Sequence, residues 1–250
     1  MTRRFEHAVV VGASSGMGRA IAKRLAAEGC TVAAVARRID ELRSLAEEVS
    51  AVGGAAAVHV FEHDVTDHAS VPELFQGIVR ELGGLDLIVY AAGVMPPVAF
   101  EEFNTDKDLQ MLQVNLEGAI AWLNEAAQRF SSLKRGTIIG IGSVAGDRGR
   151  SGNPVYATSK AGLHTYLEAL RNRIARDGVK VVTIKPGFVD TPMTEGLSGL
   201  FWLISANRAA EIIIKKARKG VVTAYVPGRW RFVMWVIRTI PSFLFRRLKV

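Results

Sequence analysis

The segment Val11-Gly12-Ala13-Ser14-Ser15-Gly16-Met17-Gly18-Arg19 sets three glycines and two serines between an apolar run and a stretch with helical apolar spacing at Ala20, Ile21 and Leu25. Glycines at such a junction let the backbone turn tightly and approach a pyrophosphate, whose charge then rests against the amides and positive end of the following helix. The second apolar run ends in Ala36-Arg37-Arg38 and carries no carboxylate. An acidic residue there would bond the adenosine ribose hydroxyls of NAD. Arg37 and Arg38 suit charge-assisted hydrogen bonds to a 2′-phosphate instead, with Arg19 and Ser14 able to approach from the first turn. These residues point to NADP(H); the competing reading leaves the arginines solvated at a loop.

Two further strand ends carry weaker signals. In His63-Asp64-Val65-Thr66 the carboxylate of Asp64 can accept from an adenine amino group or cap the helix expected near His68. Tyr90-Ala91-Ala92-Gly93 is small enough to let a cofactor lie over the strand ends. Ser143 follows a later apolar run, with Tyr156 and Lys160 lying 13 and 17 residues beyond it. A spacing of four places Tyr156 and Lys160 on one face of a helix, one turn apart.

The ordered set of Gly12/Gly16/Gly18, Asp64-Val65, Ala92-Gly93, Asn115, Ser143, Tyr156-x-x-x-Lys160 and Pro186-Gly187 resembles the short-chain dehydrogenase/reductase family, over about residues 5 to 228. The resemblance implies that Tyr156 is the general acid toward a substrate carbonyl, or the base in the alcohol direction. A free phenol titrates near pH 10, so it needs a cation such as Lys160 beside it. By the same resemblance Lys160 holds the nicotinamide ribose, Ser143 positions the carbonyl oxygen, and Asn115 holds a water that joins Lys160 to solvent. Pro186-Gly187 would shape the nicotinamide pocket, with backbone near Val189 and the Thr191 hydroxyl serving its carboxamide. Homo-dimers or homo-tetramers, paired through the helices carrying Asn115 and Tyr156, are implied as well. The residues add only that Leu163, Tyr166, Leu167 and Leu170 are more apolar than a catalytic face requires, and they can equally pack on their own sheet. The chain departs from the family where Val11 replaces a common Thr and Tyr90-Ala91 replace two Asn, changes expected to alter packing more than activity.

The elements that must position these groups are legible as alternating apolar runs and helical patterns, which imply an α/β fold: one doubly wound (Rossmann) domain with a seven-stranded parallel sheet. Strands are expected at 7–11, 31–36, 55–60, 85–90, 136–141, 180–185 and 220–226, and helices near 17–28, 40–50, 68–82, 105–129, 154–176 and 207–218. The catalytic domain is read as 1–228, with an amphipathic tail over 229–250.

At 250 residues and 49% apolar composition the chain buries a substantial core, which excludes a disulfide miniprotein and a disordered tail. The single Cys30 and an N-terminus without an apolar leader lead to the expectation of a reducing, cytoplasmic compartment. His59, His63, His68 and His164 show no ligand spacing with one another or with Cys30, and no metal is expected.

Substrate specificity is expected in 191–206, where Gly196 and Gly199 can serve as hinges and Leu197, Leu200, Phe201, Trp202, Leu203 and Ile204 as an apolar lid. With Met95, Pro96 and Pro97 beside it, and with Asp147, Arg148 and Glu195 as the nearby fixed charges, an apolar ketone or secondary alcohol fits, a long-chain lipid carbonyl among them. The alternatives are a reductase of small soluble carbonyl compounds and a dinucleotide-binding regulator without turnover.

Net charge is +8, yet residues 201–250 hold 11 of the 32 Lys and Arg and one acid, Glu211. Trp230, Phe232, Trp235, Phe243 and Phe245 are interleaved with those charges, which favours an anionic membrane surface over nucleic acid. In the tail, Arg231, Arg238, Ser242, Arg246 and Lys249 mark one polar stripe at helical spacing. Its apolar run is too short to span a bilayer, so it either lies in the interface plane or packs against another subunit.

Overall fold

Valine, isoleucine and alanine fill the strand runs on both faces, as a parallel sheet buried between two helical layers demands. The computed structural model describes residues 4–51 and 57–248, so positions 55 and 56 of the third expected strand, and Lys249 of the polar stripe, lie outside the described residues. The strands are β1 (His7–Val11), β2 (Thr31–Ala36), β3 (Val58–Glu62), β4 (Leu87–Tyr90), β5 (Gly136–Ile141), β6 (Val179–Pro186), a two-residue pair β7 (Val189–Asp190) and β8 (Ile204–Ser205), and β9 (Thr223–Val226). The helices are α1 (Gly16–Ala27), α2 (Ile39–Ala51), α3 (Val71–Glu81), α4 (Thr105–Leu112), α5 (Gly118–Leu133), α6 (Pro154–Arg173), α7 (Ala206–Arg218), α8 (Trp230–Thr239) and α9 (Ser242–Phe245).

Seven strands pair in parallel in the order β3-β2-β1-β4-β5-β6-β9. The chain reverses direction across the sheet after β3, which makes the β1/β4 boundary the switch point where such sheets open a crevice. Alternate residues build two cores. Ala8 and Val10 of β1 join Val32, Ala34, Leu87 and Val89 beneath α1, α2 and α7, while Val9, Val11, Ile88 and Tyr90 face α3, α5 and α6. Leu163, Leu167 and Leu170 are buried in this second core, so they lend no argument to an assembly of copies.

The helix expected over 105–129 is not continuous. Residues Gln113–Glu117 form a π turn between α4 and α5, and the widened turn costs part of the regular i to i+4 bonding. Tyr90 compensates by donating its phenol to the Val114 carbonyl at 2.6 Å. The departure at Tyr90 therefore supplies a polar support in place of the asparagine it replaces. Burial holds that phenol above its ordinary pKa, so it remains a donor.

Candidate active site

The β1–α1 turn is built for close approach. A Cβ on Gly12 would come within 2.4 Å of the Ala92 nitrogen, and one on Gly18 within 2.1 Å of the Gly12 carbonyl. Only glycine keeps both contacts, and this packing seats the first turn of α1 on the residue that follows β1, and that residue on the chain just after β4. Ser15, at the N-cap, makes no side-chain bond to the first turn, and that turn carries no acid. Its amides and the positive helix end thus face a cavity of about 290 Å³ lined by Ser14, Ser15, Gly16, Met17, Arg37, Arg38, Val65, Ala92, Gly93 and Thr191. A turn that a Cβ would close, an uncapped helix start and a crevice at the switch point together fit a dinucleotide.

Arg38 extends across the mouth, and its Nη2 donates to Ser14 Oγ at 3.0 Å and Ser15 Oγ at 2.9 Å. Arg37 reaches the carboxylate of Asp64, with Nη1 3.6 Å from Oδ2. Asp64 closes its own turn, accepting from the amide and hydroxyl of Thr66, and leaves the start of α3 to Ser70; the capping alternative is not what forms. Arg19 points the other way. It donates to the Glu41 carbonyl at 2.7 Å and pairs with Glu48 at 2.7 Å, which ties α1 to α2 and places its guanidinium away from the cavity. His63 also lines the cavity, at the end of β3, a position the metal-spacing argument passed over.

The catalytic candidates lie beside the crevice, where Gly93 approaches Lys160 and Met193 approaches Tyr156. Asn153 caps α6 by accepting from the Tyr156 amide at 3.0 Å, which fixes the start of the helix that carries Tyr156 and Lys160. Lys160 is buried; its Nζ donates to the Ile141 carbonyl at 3.1 Å and lies 5.8 Å from the centre of the Tyr156 ring. Burial lowers its pKa to about 8. Burial raises that of Tyr156, and the Ser143 hydroxyl works against the rise. The Ser143 oxygen accepts from the Ala145 amide at 3.1 Å, which leaves its hydrogen available to an acceptor beside Tyr156.

Asn115 sits in the π turn and is fully buried. Its Oδ1 accepts from the Val94 amide at 2.7 Å, while Nδ2 donates to the Val94 carbonyl and to Ser159 Oγ. Both amide hydrogens are thereby used to pin the chain after β4 onto α6, and a second lone pair on Oδ1 is what remains for a water. A Cβ on Gly93 would lie 3.3 Å from both Asn115 Oδ1 and Lys160 Nζ, so Gly93 keeps the space between them open.

Behind Ser143 lies a polar cluster that motif spacing did not reveal. The Ser143 amide donates to His164 Nε2 at 3.4 Å, and burial pushes the His164 pKa down to about 3, so the ring stays neutral. Asp147, almost wholly buried, accepts from Lys185 Nζ at 2.5 Å and Tyr225 Oη at 2.6 Å. Arg148 donates to the Ile237 and Ile240 carbonyls at 2.5 and 2.6 Å and covers the Phe245 ring at 3.8 Å. Neither Asp147 nor Arg148 is therefore a free charge facing substrate.

The segment 191–206 is closed at its base by the β7/β8 pair, Val189 with Ile204 and Asp190 with Ser205. Met193 lies with its sulfur 4.0 Å from Tyr156 Oη, and the Thr191 and Thr194 side chains form a capping box around Pro192. Phe201 and Trp202 pack on Trp230, with ring centres 5.0 and 5.9 Å apart. Gly187 makes room for that indole, since a Cβ there would lie 1.8 Å from its nitrogen. Pro186-Gly187 and the tail thus meet at Trp230, beside Phe201 and Trp202 of the 191–206 segment. Among the described residues no group of three His, Cys, Asp or Glu is placed to hold a metal ion, and no helix is long and apolar enough to cross a membrane.

With this geometry in hand, similarities to known proteins acquire meaning. The family model described as short chain dehydrogenase matches residues 6–199. A Myxococcus xanthus protein called an uncharacterized oxidoreductase is 33% identical over 250 residues, 98% of each chain. A Staphylococcus epidermidis protein of the same description is 34% identical over 189 residues, 76% of this chain and 80% of its own. A crystal structure described as "a putative gluconate dehydrogenase" from Agrobacterium tumefaciens superposes with a TM-score of 0.82 at 23% identity, covering 91% of this chain and 96% of the other. That last likeness speaks for the fold.

Proposed function

The chain belongs to the short chain dehydrogenase family of oxidoreductases that use a nicotinamide dinucleotide, and from that premise we propose that it interconverts an apolar ketone and a secondary alcohol with NADP(H). What supports the reaction is the nearness of Ser143 and Lys160 to Tyr156, with Gly93 of the crevice wall beside Lys160, on elements fixed by a capped helix and a π turn. In this reading the glycine turn, Thr191 and Lys160 hold the cofactor, which supplies the hydride when bound. The Ser143 hydroxyl orients the carbonyl oxygen, and Tyr156 gives that oxygen its proton in reduction or takes it back in oxidation. Lys160 stabilises the phenolate that Tyr156 becomes.

Preference for NADP(H) is supported by the absence of a carboxylate at the end of β2 and by Arg38, which lies against Ser14 and Ser15 with further N–H groups to spare for a phosphate. An apolar substrate is supported by Met193 beside Tyr156 and by the exposed Leu197, Phe201, Trp202 and Leu203.

Titration with NADPH and NADH during a scan of aliphatic ketones tests the proposal. Tyr156→Phe should lower reduction on the order of 10²- to 10⁴-fold with cofactor affinity unchanged. Arg37→Ala with Arg38→Ala should weaken NADPH by roughly 10- to 100-fold and NADH little. Equal losses for both cofactors would reject the phosphate assignment. Tight cofactor binding with no turnover of any carbonyl would leave a dinucleotide-binding regulator.

A further inference from the structure

Helix α8 divides its apolar residues between two faces. Trp230, Val233, Met234 and Ile237 turn inward onto Val144, Phe188 and Tyr225. Phe232 and Trp235, 69% and 62% exposed, stack on the outer face with ring centres 6.0 Å apart. Val236, Phe243 and Leu244 are exposed as well, and on the inward side of α8 the buried Trp230 touches Trp202 of the lid, whose Phe201 and Leu203 are also exposed. Soluble surfaces scatter such groups singly; a contiguous set marks a docking face.

The charged side chains that line the groove beside this face have one sign. Lys216, Arg231 and Arg238 line an open groove of about 850 Å³ between α8 and β9, whose walls include Trp235 and Tyr225 and no carboxylate. Arg246 and Arg247 follow at the end of the tail. From 191 to 248 the acids are Glu195, on the lid, and Glu211, which pairs with Arg208 at 2.6 Å on α7. A second copy docked about a two-fold axis would bring these cations against their own images, which the sign of the field opposes. Anionic headgroups complement them, and the Phe and Trp rings suit the boundary between headgroups and acyl chains.

We propose that the outer face of α8 docks on the surface of an anionic phospholipid bilayer, with Phe232 and Trp235 entering the interface and Arg231, Arg238 and Lys216 meeting the headgroups. The docking is independent of the reaction proposed above and can be read without turnover.

The test is flotation of the full chain with phosphatidylcholine vesicles, with and without phosphatidylglycerol, at low and high salt. The full chain should float with the anionic vesicles at low salt and bind them more weakly near 1 M salt, where the Debye length is about 3 Å. Phe232→Ser with Trp235→Ser, and separately Arg231→Glu with Arg238→Glu, should each weaken binding by roughly tenfold or more, while each variant keeps the parent's melting transition and cofactor affinity. The proposal is overturned if the full chain stays with the soluble fraction at low salt, or if both variants float like the parent. It is equally overturned if the Phe232/Trp235 variant turns a sedimenting dimer into a monomer and the parent binds no vesicles, since the face would then belong to a second copy.

Discussion

At the scale of single residues, Lys160 and Tyr156 show how one environment acts oppositely on a cation and an acid. Burial lowers the lysine to about 8 and raises the phenol, in each case because a charge is harder to hold out of water. Below about pH 8 Lys160 is an ammonium that can support a phenolate nearby; above it that support is lost as the proton leaves. Carbonyl reduction should therefore fall as pH rises through about 8, and Lys160→Arg should carry the fall to higher pH in whatever activity it retains. A profile flat from pH 7 to 10 in the parent would mean that the lysine charge takes no part. Motif spacing singled out Ser143, Tyr156 and Lys160, and the structure brings the three close together because β5 ends just before Ser143 and α6 carries the other two one turn apart. Arg19 escaped it: its sequence position is one residue beyond the glycine turn, but its guanidinium is captured by carboxylate and carbonyl groups of α2, a partner 22 to 29 residues away that no local pattern marks.

At the scale of elements, the glycine turn holds because two backbones touch. Gly18→Ala would press a methyl group onto the Gly12 carbonyl, and either α1 or β1 must then move. We expect a loss of about 1–3 kcal/mol in denaturant unfolding together with loss of dinucleotide binding; retention of both would show that the turn relaxes freely. The seven strands and their parallel direction were readable in the sequence, since continuous apolar runs alternating with helical ones leave few other arrangements. The π turn at Gln113–Glu117 was not. Nothing in Gln-Val-Asn-Leu-Glu disfavours an ordinary helix, and the wider turn is stabilised from outside, by Tyr90 on the Val114 carbonyl and by Asn115 on both polar groups of Val94. The Asp147 cluster was hidden for a like reason, its partners Lys185 and Tyr225 coming from β6 and β9.

At the scale of the whole molecule, the tail's amphipathic pattern was visible in sequence, but its placement was not, because Trp230 and Met234 pack among Val144, Phe188, Phe201 and Trp202, which lie far earlier in the chain. The clamp that Arg148 makes on the Ile237 and Ile240 carbonyls satisfies acceptors that the end of α8 would otherwise leave to solvent, and places a cation at the negative end of that helix. Since Arg148 immediately follows the Val144–Asp147 turn that begins at Ser143, opening α8 also removes a restraint from that turn. Native-state hydrogen exchange should then find amides of α8 and of residues 144–147 opening together as one cooperative unit. Arg148→Ala should lower the opening free energy of α8 by about 1–3 kcal/mol and let the two segments exchange independently, whereas separate openings in the parent would show that they were never coupled. Slow breathing of a peripheral helix would then reach the hydroxyl at Ser143 without any change in average structure.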